Sequence, residues 1–196
     1  MSGKRKINLG ILAHVDAGKT SLTEQLLFRG GALRTAGAVD LGTAQTDTLA
    51  VEQARGISVK TADAVLETET AVINIIDTPG HADFISEVER ALSVLDCAVV
   101  VVSAVEGVQA QTEILLAAVQ EMELPCVLFV NKLDRAGSDF EGVCAELSEQ
   151  LSGRSLLKIN RPENEGDTAV RVAPNADAFE NAVVLTGDDA LLESFL

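Results

Sequence analysis

Three short strings contain residue types whose spacing could do chemistry. In chain order they are residues 13–20 (AHVDAGKT), 77–81 (DTPGH) and 131–134 (NKLD). The first follows an apolar run that predicts a buried strand, and a helix-like stretch follows it directly. A loop between a strand and a helix can wrap phosphate groups with backbone N–H groups at the positive end of the helix. The string therefore predicts a phosphate-binding loop.

Residue types within this loop predict how a triphosphate is held. The residues expected to contact it from the loop are Ala17, Gly18, Lys19, Thr20 and Ser21. Gly18 lets the backbone approach, and the Lys19 ammonium neutralises the β- and γ-phosphates. The Thr20 hydroxyl is placed to ligate Mg²⁺, which bridges the same two phosphates.

The second string follows a strand pattern rich in β-branched residues at 71–76. Asp77 is therefore expected at the carboxyl end of a strand, where open parallel sheets bind ligands. There it can hold the metal ion through water. Pro79 and Gly80 end the strand, and the Gly80 N–H can meet a γ-phosphate that exists only before hydrolysis.

The third string also ends a predicted strand, at 126–130. The Asp134 carboxylate can accept hydrogen bonds from the amino and imino groups of guanine, a donor pair that adenine lacks. Asn131 can tie this loop to the phosphate loop, and the Lys132 stem can cover the base. An ordinary polar turn is the alternative for this string alone. Together the strings predict GTP and GDP binding with Mg²⁺, and Asp134 argues against an ATPase or kinase.

With RGISV at residues 55–59 between them, the three strings resemble the GTPase domain of translation factors. Three further segments most resemble the tetracycline-resistance ribosomal protection proteins, with elongation factor G as a close second. They are residues 46–48 (TDT), 83–88 (DFISEV) and 107–112 (GVQAQT).

The resemblance implies catalytic roles that the residues alone do not establish. His81 would orient the attacking water, with Val15 and Ile57 as an apolar gate that restrains it until the ribosome engages. Asp16 resembles the phosphate-loop acid of these factors. Ser58 stands where the family usually has threonine, and its hydroxyl would ligate Mg²⁺.

The implied function is ribosome-stimulated GTP hydrolysis that protects ribosomes from tetracycline. Lys19, Mg²⁺ and loop amides, including that of Gly80, would stabilise charge as water attacks in line, so little general-base chemistry is required. Turnover is expected to be slow without the ribosome. An elongation factor G-like translocation GTPase and a truncated nucleotide-binding module without turnover stay as alternatives.

Composition limits the partners. The 196 residues are 47% hydrophobic, which excludes a disordered chain, and no apolar stretch is long enough to span a bilayer. A secretory signal is not expected, so the predicted location is the cytoplasm. The net charge of −15 argues against direct, sequence-specific nucleic-acid binding by this domain. Ribosome contact would then be local, or made by domains outside this chain.

The three cysteines show no paired metal-ligand spacing and are expected to be reduced. Cys97 and Cys126 begin apolar strands and are predicted to be buried, whereas Cys144 on a predicted helix could be buried or at its rim. His14, inside the phosphate loop, is predicted to be packed or hydrogen-bonded near the nucleotide.

Strands are predicted at 6–13, 61–68, 71–77, 97–103 and 125–131, and helices at 19–29, 83–95, 109–121 and 138–151. This order predicts an α/β fold with a doubly wound, mostly parallel sheet, a P-loop GTPase domain. The long loop between residues 30 and 54 would be a switch ordered by the γ-phosphate. Residues 1–152 are expected to form the core, and residues 153–196 an insertion or peripheral subdomain. The resemblance implies a further guanine-binding loop beyond NKLD that this sequence does not show, so we expect the domain to be incomplete at its C-terminus.

Overall fold

The computed structural model describes residues 4–31, 62–77, 92–151, 154–175 and 178. The elements within these ranges, in chain order, are β1 (Arg5–Ala13), α1 (Lys19–Arg29), β2 (Ala62–Glu67), β3 (Ala71–Asp77), β4 (Cys97–Ser103), α2 (Ala110–Glu121), β5 (Cys126–Asn131), α3 (Phe140–Gln150), β6 (Asn160–Glu163) and β7 (Arg171–Pro174). The predicted elements that these ranges cover are present, with ends shifted by at most two residues. Most of the predicted helix 83–95 and switch loop lies outside the described residues.

The first of two compact units contains a five-stranded sheet with the order β2-β3-β1-β4-β5. Strands β3, β1, β4 and β5 run parallel, and β2 pairs with β3 in the antiparallel sense. A tight turn makes this hairpin, because Thr68 N–H donates to Ala71 O at 2.8 Å and Ala71 N–H donates to Thr68 Oγ1 at 2.9 Å. The doubly wound, mostly parallel α/β fold is confirmed.

The two faces of this sheet bury different helices. On one face a cluster of buried residues joins three strands, the phosphate loop and α1; its members are Ile11, Ala13, Ala17, Leu27, Ile75 and Val101. Side chains alternate along a strand, so Leu12 and Val100, which are fully buried, point to the other face. Helix α2 contacts β1 and β4. Strand β1 therefore has both faces buried and holds the loop that follows it in place.

The second compact unit consists of residues 104–107 and 132–196, and its described part contains α3, β6 and β7. Helix α3 begins after Asp139, whose carboxylate accepts a hydrogen bond from Gly142 N–H at 2.9 Å. Residues 161–167 are polar in sequence and give no strand pattern, yet residues 160–163 form β6, which pairs with β7. The polar sequence did not show this strand because its backbone partners come from residues 171–174. The predicted boundary at residue 152 does not coincide with the limits of this second unit, and it stays a prediction.

Two of the cysteines differ from their predicted environment. Cys126 is exposed and Cys97 is half-buried, whereas Cys144 on α3 is buried. The prediction of burial is wrong for Cys126 because β5 is the edge strand of the sheet that the described residues form. Its thiol is nevertheless shielded from water by nearby protein, which raises the pKa of Cys126 to about 11. Burial likewise raises the pKa of Cys97 and Cys144.

None of the helices in the described part of the chain is long and apolar enough to cross a membrane.

The core predicts that two apolar side chains of the β2–β3 hairpin contribute very differently to the free energy of unfolding. Ile75 on β3 is 1% exposed, so Ile75→Ala removes buried methyl groups and leaves a cavity. We expect the free energy of unfolding to fall by about 2–5 kcal/mol. Val65 on β2 is 56% exposed, and Val65→Ala, the matched control, should change it by less than about 0.5 kcal/mol. Urea unfolding followed by circular dichroism measures both, and equal losses would contradict this account of the core.

Candidate nucleotide-binding site

The predicted phosphate loop is a tight turn between β1, which ends at Ala13, and α1, which begins at Lys19. Two residues in it have left-handed backbones, Asp16 with φ of 62° and Gly18 with φ of 96°. Ala17 N–H donates to His14 O at 3.3 Å and closes the turn. The chain thereby reverses direction and presents the first turn of α1 at the end of the sheet.

Gly18 is required here by a close contact as well as by its φ angle. A Cβ atom at this position would lie 2.2 Å from Asn131 Nδ2, closer than real side-chain carbons approach. The same amide donates a hydrogen bond to Ala17 O at 2.9 Å. Asn131 is the last residue of β5, so this bond ties the first residue of the third string to the phosphate loop, as the sequence predicts.

The N-terminus of α1 fits an anion. Its N-cap residue is glycine, which has no side chain to occupy the first N–H groups, and its first turn contains no acidic residue. Lys19 and Thr20 are each 6% exposed, and Ser21 is exposed. Thr23 Oγ1 donates to Lys19 O at 3.1 Å within the helix. The helix dipole and the buried lysine both favour negative charge at this end.

His14 is buried, and its ring takes part in a long-range contact. Its Nδ1 lies 3.1 Å from Thr112 Oγ1, and Thr112 is fully buried on α2. The sequence predicts His14 to be packed or hydrogen-bonded near the nucleotide; the contact with Thr112 is present, and the position relative to a nucleotide stays a prediction. Sequence reasoning missed Thr112 as its partner. The available signal was helical spacing, because Thr112 precedes buried Leu115, Leu116 and Val119 on one face of α2.

Asp77 is the last residue of β3, as predicted, and its backbone pairs with Ile11 on β1. Strand β1 continues only to Ala13 before the phosphate loop begins. The carboxyl end of β3 therefore lies beside the strand that leads into this loop. The predicted positions Ser58, Gly80 and His81 lie outside the described residues.

Lys132 and Asp134 belong to the second unit. Lys132 has a left-handed backbone, with φ of 62°, and its carbonyl accepts from Arg135 N–H at 3.1 Å. Asp134 is exposed, so its carboxylate is accessible to a ligand. The Lys132 ammonium lies 3.1 Å from Glu106 Oε2, a partner that the sequence motifs do not include.

The turn between β6 and β7 supports this same segment. Gly166 N–H donates to Leu133 O at 2.8 Å, and Ser138 Oγ donates to the same oxygen at 3.3 Å. Glu165 Oε1 accepts from Phe140 N–H at 2.6 Å, at the first residue of α3. No sequence signal pointed to the contacts of Glu165 and Gly166, because their partners lie more than twenty residues away in the chain.

A strand, a left-handed glycine turn and a helix that begins with buried lysine and threonine define a phosphate-loop nucleotide-binding domain. The model of one family, the elongation factor Tu GTP-binding domain, matches residues 4–192. Because this match covers nearly the whole sequence, the chain belongs to that family.

Three curated relatives are resistance proteins. Tetracycline resistance protein TetO of Streptococcus mutans is 47% identical over 190 residues, which are 97% of this chain and 29% of that protein. The oxytetracycline resistance protein of Streptomyces rimosus is 47% identical over 197 residues, 97% of the chain and 30% of the protein. TetM from transposon Tn916 of Enterococcus faecalis is 44% identical over 190 residues, 97% of the chain and 29% of the protein. The chain thus spans about 30% of the length of these relatives.

A solved structure supports the fold. A crystal structure of a Thermus thermophilus protein matches with a TM-score of 0.79 and 28% sequence identity, over 98% of this chain and 33% of that one. The domain is therefore a guanine-nucleotide-binding domain of the translational GTPase type, and GTP hydrolysis is the activity expected of it.

The contact at Gly18 makes a prediction about binding. Gly18→Ala adds a Cβ that collides with the Asn131 amide in a backbone conformation that alanine disfavours. We expect calorimetric titration to show at least about tenfold weaker GDP binding, since the loop must move to relieve both effects. Gly31→Ala is the matched control, because Gly31 also has a positive φ, 76°, but nothing within 4 Å of an added Cβ. Equal GDP affinities in the two variants would count against the collision.

Proposed function

We propose that the chain is the GTPase domain of a ribosomal protection factor of the tetracycline-resistance type. It binds GTP with Mg²⁺ and hydrolyses it when a ribosome engages. The observation that carries the nucleotide part is the hydrogen bond from Asn131 Nδ2 to Ala17 O, 2.9 Å long. It ties Asn131, the first residue of the string proposed to bind the base, to the loop proposed to bind the phosphates.

The phosphates are proposed to bind at the N-terminus of α1. Backbone N–H groups from Asp16 to Ser21 surround them, and Lys19 places its charge between the β- and γ-phosphates. Support comes from the left-handed turn and from the glycine N-cap, which leave this end of the helix to a ligand. Binding of an anion here gains from the helix dipole without any rearrangement of the helix.

Mg²⁺ is proposed to bind beside the same phosphates. The residues that would hold it are Thr20, Ser58 and, through water, Asp77. Hydroxyl and carboxylate oxygens are ligands that Mg²⁺ accepts, with the remaining positions filled by water and phosphate oxygens. Thr20 is the second residue of α1, and the end of β3 lies beside β1, which supports one ion at the strand ends. Bound Mg²⁺ would offset the charge that develops as the terminal phosphate leaves.

The base is proposed to bind at the third string. Asp134 accepts two hydrogen bonds from guanine, and the methylene stem of Lys132 covers a face of the ring. The exposed position of Asp134 supports this role, as does the left-handed backbone of Lys132.

Hydrolysis is proposed to proceed by in-line attack of water on the γ-phosphate. His81 orients this water, Gly80 N–H contacts the γ-phosphate, and Lys19 stabilises the charge that develops. Val15 and Ile57 restrain His81 until the ribosome engages. Support for these roles comes from the resemblance of residues 13–20, 55–59 and 77–81 to the family.

Tetracycline protection is preferred to elongation factor G-like translocation because the resistance proteins described above are 44–47% identical to the chain. The site of action would be the ribosome in the cytoplasm. With a net charge of −15, the domain is not expected to bind nucleic acid in a sequence-specific way, so contact with the ribosome would be local.

The base assignment predicts a change of specificity. In Asp134→Asn the carboxylate becomes an amide that can donate to the oxygen at the edge of xanthine, so preference should shift from GDP to XDP. Calorimetric titration of the 196-residue chain with GDP, XDP and ADP, with and without Mg²⁺, measures this. The wild type should bind GDP selectively and more tightly with Mg²⁺. If the variant keeps its preference for guanine, Asp134 does not read the base.

The catalytic assignment is tested in a longer protein, since the relatives are about three times as long as the chain. The chain replaces the 190 matched residues of the Streptococcus mutans protein, and GTP turnover is measured with ribosomes. We expect ribosomes to raise turnover strongly, and His81→Ala to lower the stimulated rate by about a hundredfold while GDP affinity changes by less than about twofold.

Growth on tetracycline of cells that carry this chimera distinguishes the three candidate functions. Resistance that is lost with His81→Ala supports protection. Stimulated turnover without resistance favours translocation, and GDP binding without stimulated turnover favours a nucleotide-binding module.

A further inference from the structure

Glu106 lies in a short segment, residues 104–107, whose backbone is held by α3. Ala104 O accepts a hydrogen bond from Asp139 N–H at 2.9 Å, one residue before the helix begins. At the other end, Gly107 has a φ of 67°, and a Cβ there would lie 2.8 Å from Glu146 Oε2. The glycine therefore allows the segment to turn sharply against the helix. Glu106 therefore lies between a residue held by a hydrogen bond, Ala104, and a glycine turn that passes close to the Glu146 side chain.

Lys132 is presented from a backbone held by hydrogen bonds. Its left-handed conformation is closed by the hydrogen bond from Arg135 N–H, and the next residue, Leu133, accepts from Gly166 N–H at 2.8 Å. The Lys132 side chain is 22% exposed, and its ammonium lies 3.1 Å from Glu106 Oε2. The ion pair thus joins these two positions in the same compact unit.

We propose that Glu106 is a positioning residue for the nucleotide base, which acts by holding the Lys132 stem in the conformation that covers the ring. The inference rests on the proposed base site. A free lysine side chain samples many rotamers, and ordering it when the base arrives opposes binding. An ion pair that already orders it in the free protein removes part of that cost.

This role differs chemically from that of Asp134. A stem that lies on the ring touches its face, which all purines share, whereas Asp134 meets an edge that only guanine offers. Loss of Glu106 should therefore weaken binding of any purine nucleotide that the site accepts by the same factor. The choice between bases should not change.

The test is Glu106→Gln in the 196-residue chain, which keeps the shape of the side chain and removes its charge. In calorimetric titration we expect the Kd for GDP to rise about two- to fivefold in ~50 mM salt. In ~500 mM salt the wild-type and variant values should converge, because ions screen a partly exposed pair. Glu106→Asp, which keeps the charge, should restore part of the affinity.

A double-mutant cycle tests whether Glu106 acts on nucleotide binding through Lys132. If Glu106 acts through Lys132, then Glu106→Gln should leave the Kd unchanged once Lys132 is replaced by methionine. Titration with IDP should give the same fold-change as with GDP. The matched control is Glu141→Gln, which removes the ion pair between Glu141 and Lys158 in the same unit, and it should leave the Kd unchanged.

Each outcome decides one point. Equal Kd values for wild type and Glu106→Gln at low salt overturn the positioning role. An equal loss in the Lys132→Met background also overturns it, because Glu106 would then act by another route, including a loss of stability. A wild-type chain that is folded but does not bind GDP contradicts the proposed function itself, and the inference falls with it.

Discussion

The approach of Asn131 to the phosphate loop is the contact on which the proposed site depends. Its amide donates to Ala17 O, and the absence of a Cβ at Gly18 leaves room for it. The bond connects the end of β5 to the turn after β1, two strands separated in the sheet by β4. A phosphate loop can be built by neighbouring residues alone, but its distance from Asn131 at the end of β5 is set by the order of the strands and by this side-chain amide.

The buried strands explain why this distance is stable. Strand β1 has both faces covered, and its last residues pass directly into the loop. Ala17, inside the loop, belongs to the same apolar cluster as Ile75 and Leu27. Movement of the loop therefore disturbs the core, which resists small displacements because its side chains are closely packed. The arrangement holds the N–H groups that are proposed to bind phosphate in place before a ligand arrives.

Periodic segments were predictable from the sequence to within two residues of their ends, because alternation and helical spacing report burial directly. The contact between Asn131 and the phosphate loop was also predictable, since the three motifs have the order and residue types of a GTP-binding site. Some contacts were not predictable: Glu106 lies in no motif, and the motif that contains Thr112 does not indicate His14 as its partner, so the fold decides both contacts. Strand β6 was missed because its polar sequence gives no strand signal. Cys126 was misjudged because burial depends on the place of β5 in the sheet, which local sequence does not specify.

The position of β5 at the edge of the sheet in the described residues has a consequence for how copies of the chain behave together. Val127 and Phe129 on this strand are 53% and 39% exposed, and an edge strand presents backbone groups along which another strand can grow. The net charge of −15 makes copies repel one another at low ionic strength. Concentrated salt screens that repulsion, so that the exposed apolar side chains on this strand can associate between copies. Solubility thus depends on two features with separate origins, the excess of acidic residues and the place of β5 at the edge of the sheet that the described residues form, and buffers of low salt favour separated copies.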